Sequence, residues 1–267
     1  MRLILVFLFG ITLWAQERIV TLAPAAAEIV AALGAADAVV AVSDYTLYPP
    51  ELAARPSVGG YLSITPETVL SHRPALAVGM VYQRRLLERL RRLGVDTVAL
   101  RLDTVAAIEK SIRDVARKLG RNAEGKALVD AIEAAAAAAA KHPAAPQKVL
   151  IVFGGATSLA RGVYAAGPRL FYDEILRLCG TENALSDTAF AQPVLTPEQI
   201  IASDPDTVVI LYGPRDRFDA EAVRRAWERL PVSAARKKRI FLLQSDYLLI
   251  PGPRIGRTIE TLCGVLK

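Results

Sequence analysis

Histidine is almost missing from this chain: only His72 and His142 occur, each in a stretch expected to face solvent. A histidine metal cluster and a Ser-His-Asp hydrolase therefore have too few residues to be built from. Neither phosphate-cradling glycine motif occurs, neither GxGxxG nor a loop ending in Gly-Lys-Ser or Gly-Lys-Thr. Gly154-Gly155, after a strand-like run, reads instead as a tight turn. Beyond Ala15 no stretch of about 20 apolar residues lacks charge or proline, so no spanning helix is expected in the mature chain. No acid–base pair or metal cluster stands out. The chain is expected not to be an enzyme and to carry no cofactor or metal.

The first residues are a different matter. Met1-Arg2 and the apolar run at 3–14 have the charged start and short greasy core of a secretory signal, with 1–15 the segment removed. The alternative is an uncleaved anchor, since Leu13 is larger than the residue preferred three places before a cut. No cysteine lies near the site to carry a lipid. Removing the signal takes away only Arg2, which leaves a formal charge of +5 from the starting +6. An exported protein has little access to nucleic acid, and the basic runs at 84–85, 91–92 and 236–239 read as solvated helix and turn faces. Two cysteines, Cys179 and Cys263, close two helical patterns. Export favours a disulfide between them, with two buried thiols as the alternative.

One phrase occurs twice, TPETVLSHRPALAV from Thr65 and TPEQIIASDPDTVV from Thr196, 131 residues apart. In each copy threonine stands where a helix N-cap belongs, proline takes the first helical position and glutamate enters the first turn. An apolar strand follows. Two copies of one plan predict two lobes with a cleft between them, and 52% apolar residues suffice for a core in each. Strand-like runs at 19–22, 39–42, 76–78 and 97–100 alternate with helical patterns at 25–33, 66–71 and 84–93, which is βα repetition with a mainly parallel sheet. Gly34, Gly94 and Gly120 each follow a leucine that closes a helical pattern. The second half repeats the scheme, with strands at 149–153, 208–211 and 240–243 and helices at 169–178, 197–202, 220–230 and 255–266. Between the halves, residues 122–142 include seven consecutive alanines at 134–140. Alanine's helix propensity and the stripe of Leu128, Val129 and Ile132 predict one continuous helix, a strut of about 30 Å, and hence small movements of the lobes. The expected division is lobe 16–120, linking helix 121–143 and lobe 144–267.

Aromatic and polar groups gather just past the carboxyl ends of the strands, where open α/β sheets bind ligands. Tyr45, Met80, Tyr82, Tyr212, Asp246 and Tyr247 hold such positions, and Tyr48 and Tyr61 lie in the long connection after Asp44. Any one tyrosine could be edge packing. Together they describe a broad, flat-walled cleft suited to a large planar or macrocyclic ligand.

These residues resemble the periplasmic substrate-binding proteins of ABC importers for vitamin B12, haem and iron-siderophores, built from two Rossmann-like lobes and one long helix. The resemblance covers almost everything after the signal. It rests on RIVTLAPAAAEIVAALGAADAVVAVSDYTLYPPE from Arg18, VGGYLSITPE from Val58, RPALAV from Arg73, LRLCGTENAL from Leu176 and QSDYLLIPGPRI from Gln244. It implies that Glu67 and Glu198, one per lobe, form salt bridges with arginines of a membrane permease that works with a cytoplasmic ATPase. It implies further that Cys179 and Cys263 are linked, as in vitamin B12-binding members. It places the chain in the periplasm, and we expect a monomer. Tyr45, Tyr61 and the Asp246-Tyr247 pair resemble the aromatics and polar–aromatic pair of those members, which makes a corrinoid the expected ligand, contacted by Tyr45, Tyr48, Tyr61, Met80, Tyr82, Gln192, Asp246 and Tyr247. Met80 and Gln192 stand where those proteins carry tryptophans, and Ile250 where an arginine is expected. Haem, with Tyr61 as axial ligand, or a ferric siderophore met by Arg84, Arg215 or Arg254, is the alternative.

Overall fold

The computed structural model describes residues 18–60 and 63–267; the signal segment 1–15 and Tyr61 lie outside them. In the first half, strands β1 (Ile19–Thr21), β2 (Val39–Val42), β3 (Leu76–Met80) and β4 (Asp96–Leu100) form a wholly parallel sheet in the order β2-β1-β3-β4. Helices α1 (Pro24–Ala32), α2 (Pro50–Ala53), α3 (Pro66–Leu70), α4 (Arg84–Arg92) and α5 (Val105–Lys118) connect and cover it. The strand order reverses at β1, so the crevice of this sheet lies at the carboxyl ends of β1 and β3.

Local chemistry sets the helix starts. Pro24, Pro66 and Pro197 each hold a first helical position, where the missing N–H has no partner to lose. Thr65 and Thr68 form a reciprocal capping box on α3, and Thr196 and Gln199 form the matching one on a helix of the second half, α8 (Pro197–Ser203). The two copies of the repeated phrase thus fold alike. Gly94 ends α4 at φ +87°, a conformation that glycine adopts without strain.

The second half holds β5 (Lys148–Phe153), β6 (Val163–Ala165), β7 (Glu182–Asn183), β8 (Val194–Leu195), β9 (Thr207–Tyr212) and β10 (Ile240–Gln244), in the order β10-β9-β5-β6-β8, with β7 also on β5. Its remaining helices are α7 (Phe171–Leu178), α9 (Ala220–Glu228), α10 (Ser233–Arg236) and α11 (Ile255–Leu266). This sheet is mixed. β6 runs antiparallel to β5, because residues 154–162 are too few for the crossover that a parallel return requires. β5 shares one edge between two partners, β7 at its start and β6 at its end.

Helix α6 (Asn122–Ala140) passes between the halves. It stops two residues short of the expected end, since Pro143 disfavours helical geometry at His142. Gly125 lets α6 approach α5 so closely that a Cβ there would stand 2.4 Å from that of Ala116; on the other side Gly256 of α11 would meet Ala135 at 3.3 Å. The helix over 169–178 begins later than expected, at Phe171, because residues 167–170 form a turn closed by Leu170 N–H to Gly167 O.

Alternate residues of the buried strands serve opposite faces. Val78 and Ile108, Val129 and Ile132 of α6, and Ile151, Ile175 and Leu262 belong to one apolar core that runs through both halves. Val20, Leu22, Leu87 and Leu90 fill a second core on the outer face of the first sheet, and Leu150, Val208 and Trp227 a third on the outer face of the second. Cys179 and Cys263 are joined by a disulfide between the end of α7 and α11. Among the described residues no helix is long and apolar enough to cross a membrane.

Candidate ligand cleft

The first wall is set by two loops. Past β2, Val58 N–H bonds Val42 O, Asp44 N–H bonds Gly59 O, and Ser57 donates to Asp44. Thr46 is buried and donates to Ser43 O at 2.9 Å. This frame holds Tyr45 at φ +65°, strained for a residue with a side chain, and leaves its ring 75% exposed. Such strain is characteristic of binding loops. Past β3, Gln83 is buried and joins the two strand ends, accepting Met80 N–H at 2.9 Å and donating to Leu22 O at 3.0 Å. The close approach needs Gly79, where a Cβ would lie 2.8 Å from Gln83 Oε1. With Gln83 turned inward, Tyr82 stands outward and is 52% exposed. Met80 is half-buried against the central core.

The second wall comes from the end of the mixed sheet. Phe153 closes β5 opposite Tyr164, and Tyr164 is itself opposite Val194. Tyr164 is 57% exposed and Phe190 70%. Gln192, Phe190 and Val194 line a hollow of about 460 Å³ beside α8. At the end of β9, Tyr212 packs edge-on against Phe218, ring centroids 4.6 Å apart.

A buried ion cluster joins the two halves. Glu28 of α1, only 2% exposed, receives Arg254 Nε at 2.9 Å and Nη2 at 2.7 Å. The same guanidinium reaches both Asp246 oxygens, at 3.1 and 3.0 Å, and its face lies 3.9 Å from the centre of the Tyr48 ring. Burial pushes the Glu28 carboxyl above its ordinary value against the pull of Arg254. Burial is the largest single influence on Asp246 and would raise it too, but the hydrogen bonds and charge of Arg254, together with the amides of Tyr247 and Asp246, outweigh it and hold that carboxyl low. Tyr247 points into the protein: its hydroxyl meets Thr261 Oγ1 at 3.1 Å and its ring lies under Arg257.

The structure thus brings Asp246, Tyr247 and Tyr48 together around Arg254, and stands Tyr45 and Tyr82 at the ends of β2 and β3. Gln192 lies apart from them, in the hollow beside α8 of the second half. Glu28, Tyr164 and Phe190 are part of this region but escape sequence reasoning. Glu28 left a signal, as the single charge in the apolar helix PAAAEIVAA, where a carboxylate demands a buried partner. Tyr164 left little, sitting in a three-residue strand after a glycine-rich turn.

Glu67 and Glu198 are both exposed in the first turn of their helices. Hydrogen bonds from its own amide and from Thr65 hold Glu67 below the usual carboxylate range, and those from Thr196 and its own amide do the same for Glu198. Arg89 lies 3.3 Å from Glu67. No group of three potential metal-ligating residues occurs among the described residues.

A family model described as periplasmic binding protein matches residues 19–247. The chain belongs to that family. The vitamin B12-binding protein of Vibrio cholerae is 28% identical over 274 residues, covering 94% of this chain and 89% of its own length. That of Vibrio parahaemolyticus is 26% identical over 250 residues, with 92% and 88% covered. Among solved structures, the periplasmic haem-binding protein of Roseiflexus sp. RS-1 in apo form superposes with a TM-score of 0.78 at 28% identity, covering 94% of this chain and 97% of that one. The relatives are binding proteins, and the fold of a parallel and a mixed sheet flanked by helices is that of this family.

Proposed function

We propose that this chain captures a corrinoid in the cleft between its halves, in the periplasm, and hands it to the permease of an ABC importer, with no catalysis of its own. The named relatives support the ligand class, since the two vitamin B12-binding proteins match it over nearly their whole length. The observation that carries the choice is the state of Arg254. Its guanidinium is bound by two carboxylates, so it is not available to a haem propionate or to a catecholate siderophore. Tyr45, Tyr82 and Tyr164 present aromatic surface instead, which suits a corrin ring whose rim bears neutral amides. Tyr48 and Met80 border this surface, and Asp246 and Tyr247 hold its floor.

Haem is the second reading, favoured by the superposition on a haem-binding protein and by exposed Arg215 and Arg217 past β9. Titration of the purified protein with cyanocobalamin, cobinamide, haemin and a ferric siderophore separates the two. Corrinoids are expected to bind at micromolar concentration or below, about 8 kcal/mol or more. If they do not bind, and haemin gives a tyrosinate absorption band that is lost in Tyr61→Ala, haem replaces the corrinoid.

A further inference from the structure

We infer that Arg254 is a positioning residue of the cleft: one guanidinium sets the loop after β2 through Tyr48 and the loop after β10 through Asp246, and Glu28 fixes the guanidinium itself. The inference rests on the ligand cleft proposed above. Arg254 bonds Glu28 along one edge and Asp246 along another, and carries Tyr48 on its face. Its partners come from α1 and the β2–α2 loop of the first half and from the β10–α11 loop of the second.

A buried ion pair is a poor way to gain stability, because desolvating the charges offsets their attraction. Its directionality is what apolar packing cannot reproduce. The planar fork donates to carboxylates in its own plane and stacks an aromatic ring above it, so three partners are oriented by one group. Asp246, once fixed, accepts the Tyr247 amide at 2.8 Å, and Thr258 donates to Tyr247 O at 2.9 Å. The floor of the second half therefore follows from the guanidinium. Tyr48 lies three residues beyond Tyr45, so the exposed ring of the first wall sits on a loop whose far side is anchored at the same point. A ligand arriving at such a cleft meets walls that are already ordered. Lysine could keep the charge but neither the fork nor the stacking face.

Hydrogen exchange of the ligand-free protein, combined with cyanocobalamin binding kinetics, tests this on Arg254→Lys. Exchange is expected to quicken at least tenfold in both 43–50 and 245–253 while the amides of β1, β5 and β9 stay protected, and cyanocobalamin affinity to fall at least tenfold, mainly through slower association. Quickening in one loop only, or in neither, overturns the inference, as does an affinity within twofold of the native protein. If Arg254→Lys does not fold, Tyr48→Leu keeps the ion cluster and is expected to loosen 43–50 alone and to weaken binding; unchanged exchange there overturns the inference equally. Failure of the native protein to bind cyanocobalamin rejects the ligand reading, and the exchange of the two loops still decides the role of Arg254.

Discussion

Glu174, on α7, accepts the Val105 amide at 2.6 Å and so caps α5, a helix of the other half. Thr104 takes the Ala107 amide at 3.0 Å, so two of the four unpaired donors at this helix start are satisfied from opposite halves of the molecule. Val105, Glu109, Ala136, Pro143, Glu174 and Leu178 line a hollow of about 620 Å³ there, in which burial and then the neighbouring Glu133 push the Glu109 carboxyl up. Glu174→Ala is expected to lower stability by about 1 kcal/mol, with Glu174→Gln, which keeps an acceptor, well under that. Denaturant titration of the three proteins checks it, and equal losses in both variants would count against a capping role.

Glu67→Lys and Glu198→Lys are each expected to abolish ligand uptake by reconstituted importer. Both carboxylates are exposed, and no ligand-cleft residue lies among their described hydrogen-bonding partners, so ligand affinity should stay within about threefold, roughly 0.7 kcal/mol. Measuring binding and uptake side by side distinguishes the roles. A large affinity loss moves these residues into the ligand site.

The Cys179–Cys263 bond closes a separation of 84 residues. Loop-closure entropy puts its contribution at about 4–5 kcal/mol. Replacing both cysteines with serine should lower the denaturation midpoint accordingly, and titration of the denatured, unreduced native protein should find no free thiol. Two thiols per chain would refute the bridge.

Asp206 accepts Lys237 Nζ at 2.6 Å and the Lys148 amide at 3.0 Å, and the lysine bond foremost holds its carboxyl below the ordinary value. The unfolded chain therefore takes up the proton first as acid is added. The stabilisation is present above the unfolded value, about 3.9, and is lost as pH falls through the lower folded value. Asp206→Asn should cost about 1 kcal/mol near pH 6, and the difference from the native protein should vanish near pH 2. A gap that is the same at both pH values would contradict this assignment.

Elements with a local cause were legible in the sequence. The two Thr-Pro-Glu starts carry their own caps and appear as α3 and α8, and Gly94 ends α4 as its position after a leucine implies. What escaped depends on distant pairing. β6 and β8 are three and two residues long and exist through their neighbours, so Tyr164 had no strand to announce it. The carboxylate of Glu28 was visible as an anomaly, yet its partner lies 226 residues away. The place of Asp246 after β10 was legible in the sequence, but its pairing with Arg254, eight residues on, was not.

The alanines of α6 have a mechanical meaning. A side chain without rotamers has nothing to rearrange, so the two close contacts of α6, Gly125 with Ala116 of α5 and Ala135 with Gly256 of α11, leave little slack to take up by repacking at those points. Turning one half against the other would mean sliding backbone over backbone or bending the helix, both of which disturb many contacts at once. The spine is therefore expected to act as a keyed joint, with any movement on ligand binding confined to the loops that flank it.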